Sequence, residues 1–205
     1  MGLLVALLVI AITYFWFLAK THPKTKSLDL TLLPPQFVVV DTETTGLDPS
    51  RHEIIEIGAI KVNRDSNVHT TFQTFVKPVR KLPKQITEIT SITPEMLALH
   101  GAPLEKAITE FLQFAGDLRL VAFNAEFDIA FLSKAAARFD KKIKNPVSCA
   151  LKMSRRAWPG RKSYSLANLS HDGGMSTSGN HRALKDCELT MTVYAAAVAK
   201  LKRLQ

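Results

Sequence analysis

Four carboxylates and one histidine stand at positions from which they could do chemistry together. Asp41 and Glu43 follow the apolar run Phe37-Val38-Val39-Val40, Asp128 comes shortly after the apolar stretch Leu120–Phe123, and Asp186 lies in the last long periodic segment, a little beyond His181. In an extended segment residues two apart point to the same side, so Asp41 and Glu43 present two carboxylates at one strand edge. Like charges that close do not both stay ionised in a poorly solvated site unless cations occupy the gap between them. Hard divalent ions with oxygen ligands meet that need. A neutral imidazole beside a metal-held water can take its proton at physiological pH, which gives His181 a role. The spacing of His181 and Asp186 predicts neighbouring faces of one helix start. Each residue alone has a plainer reading: a solvated strand end for the Asp-x-Glu pair, a helix-entry residue for Asp128, a surface residue for the histidine. The set, in this order and at element ends, carries the inference.

Those positions need a scaffold, and the hydropathy pattern supplies one. The β-branched run ending at Asp41 predicts a strand buried on both faces. Ile54 to Val62 and Val68 to Val76 read as two further strands, and the polar cluster Asn63-Arg64-Asp65-Ser66-Asn67 between them predicts a hairpin. Thr93-Pro94 and Pro103 mark helix starts, and Leu104, Ile108, Phe111 and Leu112 keep helical spacing. A short strand over Leu120–Phe123, a helix over Phe127–Phe139 with Ile129, Leu132 and Ala136 on one face, and a final helix from about His181 to Leu201 complete the pattern. Antiparallel strands followed by alternating helices and strands predict an α/β domain with a mixed sheet.

Composition bounds what such a domain is for. The 205 residues are 46% hydrophobic and 22% charged, which excludes a disordered, collagen-like or polytopic membrane chain. A domain of this size is stable without disulfides or structural metal, and Cys149 and Cys187 form no Cys-x-x-Cys pair. The formal charge of +9 falls entirely outside residues 1–19, which contain no Lys, Arg, Asp or Glu. Leu3–Ala19 is apolar apart from the Thr13 and Tyr14 hydroxyls, and covers roughly 26 Å as a helix against a hydrocarbon core of about 30 Å. Residues 1–20 are therefore expected to form one transmembrane anchor, residues 21–35 a linker and residues 36–205 the catalytic domain. A cleaved signal peptide lacks its basic n-region and small-residue cleavage pattern here. Lys20, Lys24 and Lys26 follow the span directly, which predicts a single-pass protein with its domain in the cytoplasm.

The strings Val38-Val39-Val40-Asp41-Thr42-Glu43-Thr44-Thr45-Gly46-Leu47, Asn124-Ala125-Glu126-Phe127-Asp128 and His181-Arg182-Ala183-Leu184-Lys185-Asp186 resemble the three motifs of the DEDDh 3′→5′ exonucleases (DnaQ-like). The likeness is to the epsilon-type proofreading domains of DNA polymerase III and their stand-alone relatives, and it covers roughly residues 36–202. It implies a ribonuclease-H-like fold, with a mixed five-stranded sheet flanked by helices. It also implies two divalent cations, Mg²⁺ or Mn²⁺, held by Asp41, Glu43, Asp128 and Asp186, with His181 as general base and nucleoside monophosphates as products. Thr44, Thr45, Gly46, Leu47 and Asn124 then match the residues that contact the terminal nucleotide. Phe123 departs from the pattern, since many members have His there.

A nucleic-acid substrate needs cations near the site. Residues 134–162 contain ten, Lys134, Arg138, Lys141, Lys142, Lys144, Lys152, Arg155, Arg156, Arg161 and Lys162, against Asp140 alone. Such a run suits phosphates, and anionic lipid competes for it beside an anchor. Trp158, Tyr164 and Phe127 are candidates for stacking on bases, Phe127 better suited to the core. The expected function is a membrane-tethered, metal-dependent 3′→5′ exonuclease acting on free 3′ ends of single-stranded or frayed nucleic acid, DNA preferred because the first motif is epsilon-like. An exoribonuclease shares the chemistry. A non-catalytic accessory or nucleic-acid-binding subunit of a polymerase complex is the other alternative, disfavoured because all four carboxylates are present and only nineteen residues follow Asp186.

Overall fold

The computed structural model describes residues 32–66, 68–178 and 181–204. The expected anchor over 1–20 and most of the linker lie outside the described residues; among these, no helix is long and apolar enough to cross a membrane. Strand β1 (Gln36–Thr44) is the centre of the molecule. Its neighbours are β2 (Ile54–Asn63), then β3 (Thr70–Phe75), both antiparallel, on one side. On the other side lie β4 (Leu120–Ala122) and β5 (Val147–Cys149), both parallel, giving the order β3-β2-β1-β4-β5. This is the mixed five-stranded sheet expected.

The run Phe37 to Val40 is wholly buried because β1 is covered on both faces. Val38 and Val40, with Ile57 and Ala59 of β2, pack against α3 (Leu104–Ala115) and α4 (Ala125–Ala137). Phe37 and Val39, with Ile60 and Val62, pack against α7 (Ala183–Lys202), where the Phe37 and Tyr194 rings lie 5.6 Å apart. Helices α1 (Lys84–Thr90) and α2 (Pro94–His100) close one end over Ile55 and Leu82, and the Thr93 hydroxyl caps α2 by accepting the Met96 N–H. Helices α5 (Ala150–Ala157) and α6 (Leu166–Asp172) pack beside α7.

Four boundaries differ from expectation. Strand β1 does not stop at Asp41: Thr42 and Thr44 continue the buried row, so the pairing with β2 runs on to Thr44 and the acids stand within the strand. The third strand is shorter than Val68 to Val76, since Val68 is exposed. Helix α4 begins at Ala125, directly after β4. Helix α7 begins at Ala183, because His181 holds φ at 64°, in the left-handed region, and cannot be its first residue. Leu33, assigned to the linker, is buried against the α7 face and belongs to the domain.

Candidate active site

Because β1 and β4 are parallel, the far end of β1 and the start of α4 lie at the same edge of the sheet, and α7 begins there as well. Side chains alternate along β1, so Asp41 and Glu43 share the α7 face with Phe37 and Val39. Gly58, paired with Asp41 across β2, lets α7 reach them. A Cβ on Gly58 would lie 2.5 Å from the Ala183 carbonyl carbon and the Leu184 nitrogen. The result is that Asp41, Glu43 and Asp186 each place a carboxylate oxygen within 4.8 Å of the others.

Asp128 arrives from the opposite face. It is buried, and its Oδ1 accepts both the amide N–H and the hydroxyl of Thr42, at 3.0 and 2.9 Å. It stands outside the tight group of three yet close enough to repel Asp41. Burial pushes the Asp128 carboxyl up to about 7, even though the Thr42 bonds oppose the shift. Burial, then repulsion by Asp186, Glu56 and Asp128, pushes Glu43 up to about 8. Asp41 is raised well above the carboxylate range by burial and by Asp128, Glu43, Asp186 and Glu56. Asp186 is raised by burial, against the His181 amide bond. Its Oδ2 accepts the His181 N–H at 3.3 Å, while its buried Oδ1 has no hydrogen-bond partner. Converging acids that resist ionising, with an orphaned oxygen among them, fit a divalent cation. His181 itself is exposed and lies in the segment leading into α7, not on the helix as its spacing predicts.

The turn after β1 is held from behind. The Thr44 hydroxyl donates to the Gly46 carbonyl at 2.7 Å, and the Thr45 Oγ1 accepts the Glu53 N–H at 3.0 Å. Gly46 lies against the His52 imidazole, where a Cβ would come within 2.4 Å. Thr44 and Thr45 are buried and brace this turn, and Leu47 is thrust outward, 83% exposed. Asn124 is exposed at the start of α4, its carbonyl accepting the Phe127 N–H. Phe123, the departure from the motif, is half-buried and packs on the α7 side of the sheet.

The basic run divides. Lys134 of α4 and Arg138, just beyond its end, line a groove of about 1000 Å³ together with Arg51, Lys77 and Arg80. Lys152 instead pairs with Glu126, and Arg161 with Asp172. Among the proposed stacking residues, Phe127 packs on Phe131 at 4.9 Å, and Tyr164 donates its hydroxyl to the Trp158 carbonyl, fixing a turn. The sequence reading missed Glu56, which is fully buried and accepts bonds from Gln73, Arg182 and the Ala183 N–H. A lone acid inside Ile54-Ile55-Glu56-Ile57 was the available signal.

The profile of the exonuclease family (RNase_T) matches residues 38–194, which take in part or all of each of the five strands and every acid of the site. The chain belongs to the exonuclease family. This exonuclease is 38% identical over 184 residues to the DNA polymerase III subunit epsilon of Aquifex aeolicus, covering 89% of this chain and 90% of that one. It is 36% identical over 168 residues to the PolC-type DNA polymerase III of Clostridium perfringens, covering 82% of this chain and 11% of that protein. Among solved structures, exonuclease X in complex with 5′-overhanging duplex DNA matches 82% of this chain and 93% of its own, at a TM-score of 0.64 and 27% identity. Exonuclease I of E. coli in complex with a dA16 oligonucleotide matches 83% of this exonuclease and 42% of its own chain, at a TM-score of 0.73 and 18% identity, a likeness of fold. The ribonuclease-H-like arrangement expected from the motifs is thus the one observed.

Proposed function

We propose that this exonuclease releases nucleoside monophosphates from 3′ ends, with single-stranded or frayed DNA as its preferred substrate. The observation that carries the reading is the convergence of Asp41, Glu43 and Asp186, with Asp128 beside them, on an edge where His181 is exposed. The four carboxylates would hold two divalent cations, Mg²⁺ or Mn²⁺. Bound there, such ions supply charge neutralisation at the phosphate and acidify a water.

The remaining steps belong to the chain's own residues. The exposed Leu47, held out by the Thr44–Gly46 turn, offers an apolar surface to the terminal base, and Asn124 is exposed at the start of α4. His181 accepts the proton of the attacking water, and its own amide fixes it to Asp186, one of the carboxylates that would hold the cations. Attack in line with the terminal phosphodiester expels the 3′ oxygen of the shortened strand, which takes up a proton from solvent. The preference for DNA is supported by the names of the relatives, a DNA polymerase III subunit and polymerases, and by the DNA in the matched complexes.

The apolar Leu3–Ala19 segment, followed by Lys20, Lys24 and Lys26, supports a single-pass anchor with the catalytic domain in the cytoplasm. The deciding experiment incubates the full chain with 5′-labelled single-stranded DNA and RNA of one sequence, with Mg²⁺ or Mn²⁺, beside Asp186→Ala. A metal-dependent ladder shortening from the 3′ end, faster on DNA and absent in the variant, is expected. No ladder on either strand sinks the reading; a faster RNA ladder moves the substrate to RNA. Release of the protein from membranes by alkaline carbonate would sink the anchor.

A further inference from the structure

We propose that Glu56 is a positioning residue of this site, holding the start of α7 so that His181 and Asp186 meet the carboxylates of β1. This rests on the exonuclease reading above, and concerns a residue that touches neither substrate nor cation in that reading. Glu56 stands in β2 with no solvent exposure, between isoleucines. A carboxylate so placed is costly unless fully bonded. It is: Oε1 accepts from Gln73 Nε2 at 2.7 Å and Arg182 Nη2 at 3.0 Å, and Oε2 accepts from Arg182 Nε at 3.3 Å and the Ala183 N–H at 3.1 Å. The Arg182 guanidinium, lying 5.3 Å over the Phe75 ring, makes a two-pronged contact that a lysine cannot reproduce.

Ala183 is the first residue of α7, and Arg182 before it provides no side-chain cap. Glu56 supplies the missing acceptor from the neighbouring strand, at the helix end where an anion is favoured. The placement matters because of the register. Glu56 pairs with Glu43, and Gly58 with Asp41, so the segment docked on β2 is carried directly beside the two acids of β1. His181 and Asp186 flank the docked pair Arg182-Ala183 on either side.

Stability alone does not account for the arrangement. A buried ion pair is often replaceable by apolar residues at no loss. Glu56 also adds a further negative charge that raises Asp41, Glu43 and Asp186. What the carboxylate contributes, and an apolar side chain does not, is a fixed direction for the backbone that joins His181 to Asp186.

The test uses the full chain with Glu56→Gln, Arg182→Lys and Arg182→Met. It reads kcat and KM on 5′-labelled single-stranded DNA, Mn²⁺ affinity by calorimetry, and Tm. Glu56→Gln presents an amide to donors and is expected to lower kcat or Mn²⁺ affinity by about ten- to a hundred-fold, the usual range for residues that orient ligands, with KM for the strand unchanged. Arg182→Lys should keep part of the activity that Arg182→Met loses. A folded Glu56→Gln with wild-type kcat and Mn²⁺ affinity overturns the proposal. If Glu56→Gln does not fold, a half-exposed Arg182→Met that retains wild-type values overturns it instead. An inactive wild-type chain sinks the exonuclease reading; Mn²⁺ affinity still decides the positioning role.

Discussion

Thr42 gives both of its hydrogen-bond donors, amide and hydroxyl, to one oxygen of Asp128, and by doing so joins the two faces of the sheet at the site. Asp41 and Glu43 project from the strand on one side of Thr42, and Asp128 is received on the other. Asp128 Oδ1 is therefore committed to the protein.

Removing the hydroxyl alone tests that division of labour. Thr42→Val keeps the shape and the amide bond but withdraws one of the bonds that hold the Asp128 carboxyl down. Activity on labelled DNA should fall about tenfold or more, as for other groups that orient a ligand, while unfolding in urea registers a loss of about 1 kcal/mol. Unchanged kcat would mean that Asp128 needs no orientation.

The metal-free protein should be destabilised by alkali through its own site. Glu43 titrates near 4.5 when unfolded and at about 8 when folded. Between these values the folded chain keeps a proton that the unfolded chain has released. The stabilising contribution is complete below about 4.5 and is lost as the pH rises through about 8. Asp128, raised to about 7, works in the same direction. Melting with EDTA should give a Tm that declines from pH 5 to pH 8, and Mg²⁺ or Mn²⁺ should restore more at pH 8 than at pH 5. Glu43→Gln should flatten the decline and abolish activity. A Tm in EDTA that is independent of pH in both proteins would refute the shift.

Gly58→Ala should cost about 1–3 kcal/mol, the usual range for overpacking, because the added methyl meets backbone atoms of Ala183 and Leu184 that cannot turn aside. The same displacement moves Asp186 from Asp41, so kcat should fall as well. Urea unfolding and the exonuclease assay on one preparation check both.

Leu47→Ala should separate binding from folding. The side chain is 83% exposed, so the free energy of unfolding should stay within about 0.5 kcal/mol of wild type, as at ordinary surface positions. KM for a DNA end should rise. An unchanged KM would remove Leu47 from the binding of the strand end.

Much of this arrangement was legible in the sequence, for reasons visible in particular residues. The Phe37–Val40 run is apolar at every position because both faces of β1 are covered, and the acids that follow break it where the site begins. The hairpin turn at 63–66 and the Thr93 cap announced themselves by composition. What sequence patterns did not reveal was set by distant partners. Helix α7 loses His181 at its start because Ala183 is held by Glu56 of β2, far away in the chain. The ten cations of 134–162 are near neighbours in sequence but diverge once Lys152 finds Glu126 and Arg161 finds Asp172. Strand β5, three residues long, is too short to show a period, and its place follows from pairing with β4.

The group of carboxylates opens on β1 and is closed by Asp186 on α7, the last helix among the described residues. Synthesis runs from the N-terminus, so a growing chain can assemble the hairpin and even the Thr42–Asp128 junction before α7 exists. Until that helix leaves the ribosome, Asp41 and Glu43 lack their third companion and His181 its tether. A chain stopped short of α7 therefore holds two of the three clustered carboxylates and leaves the third place in the group empty.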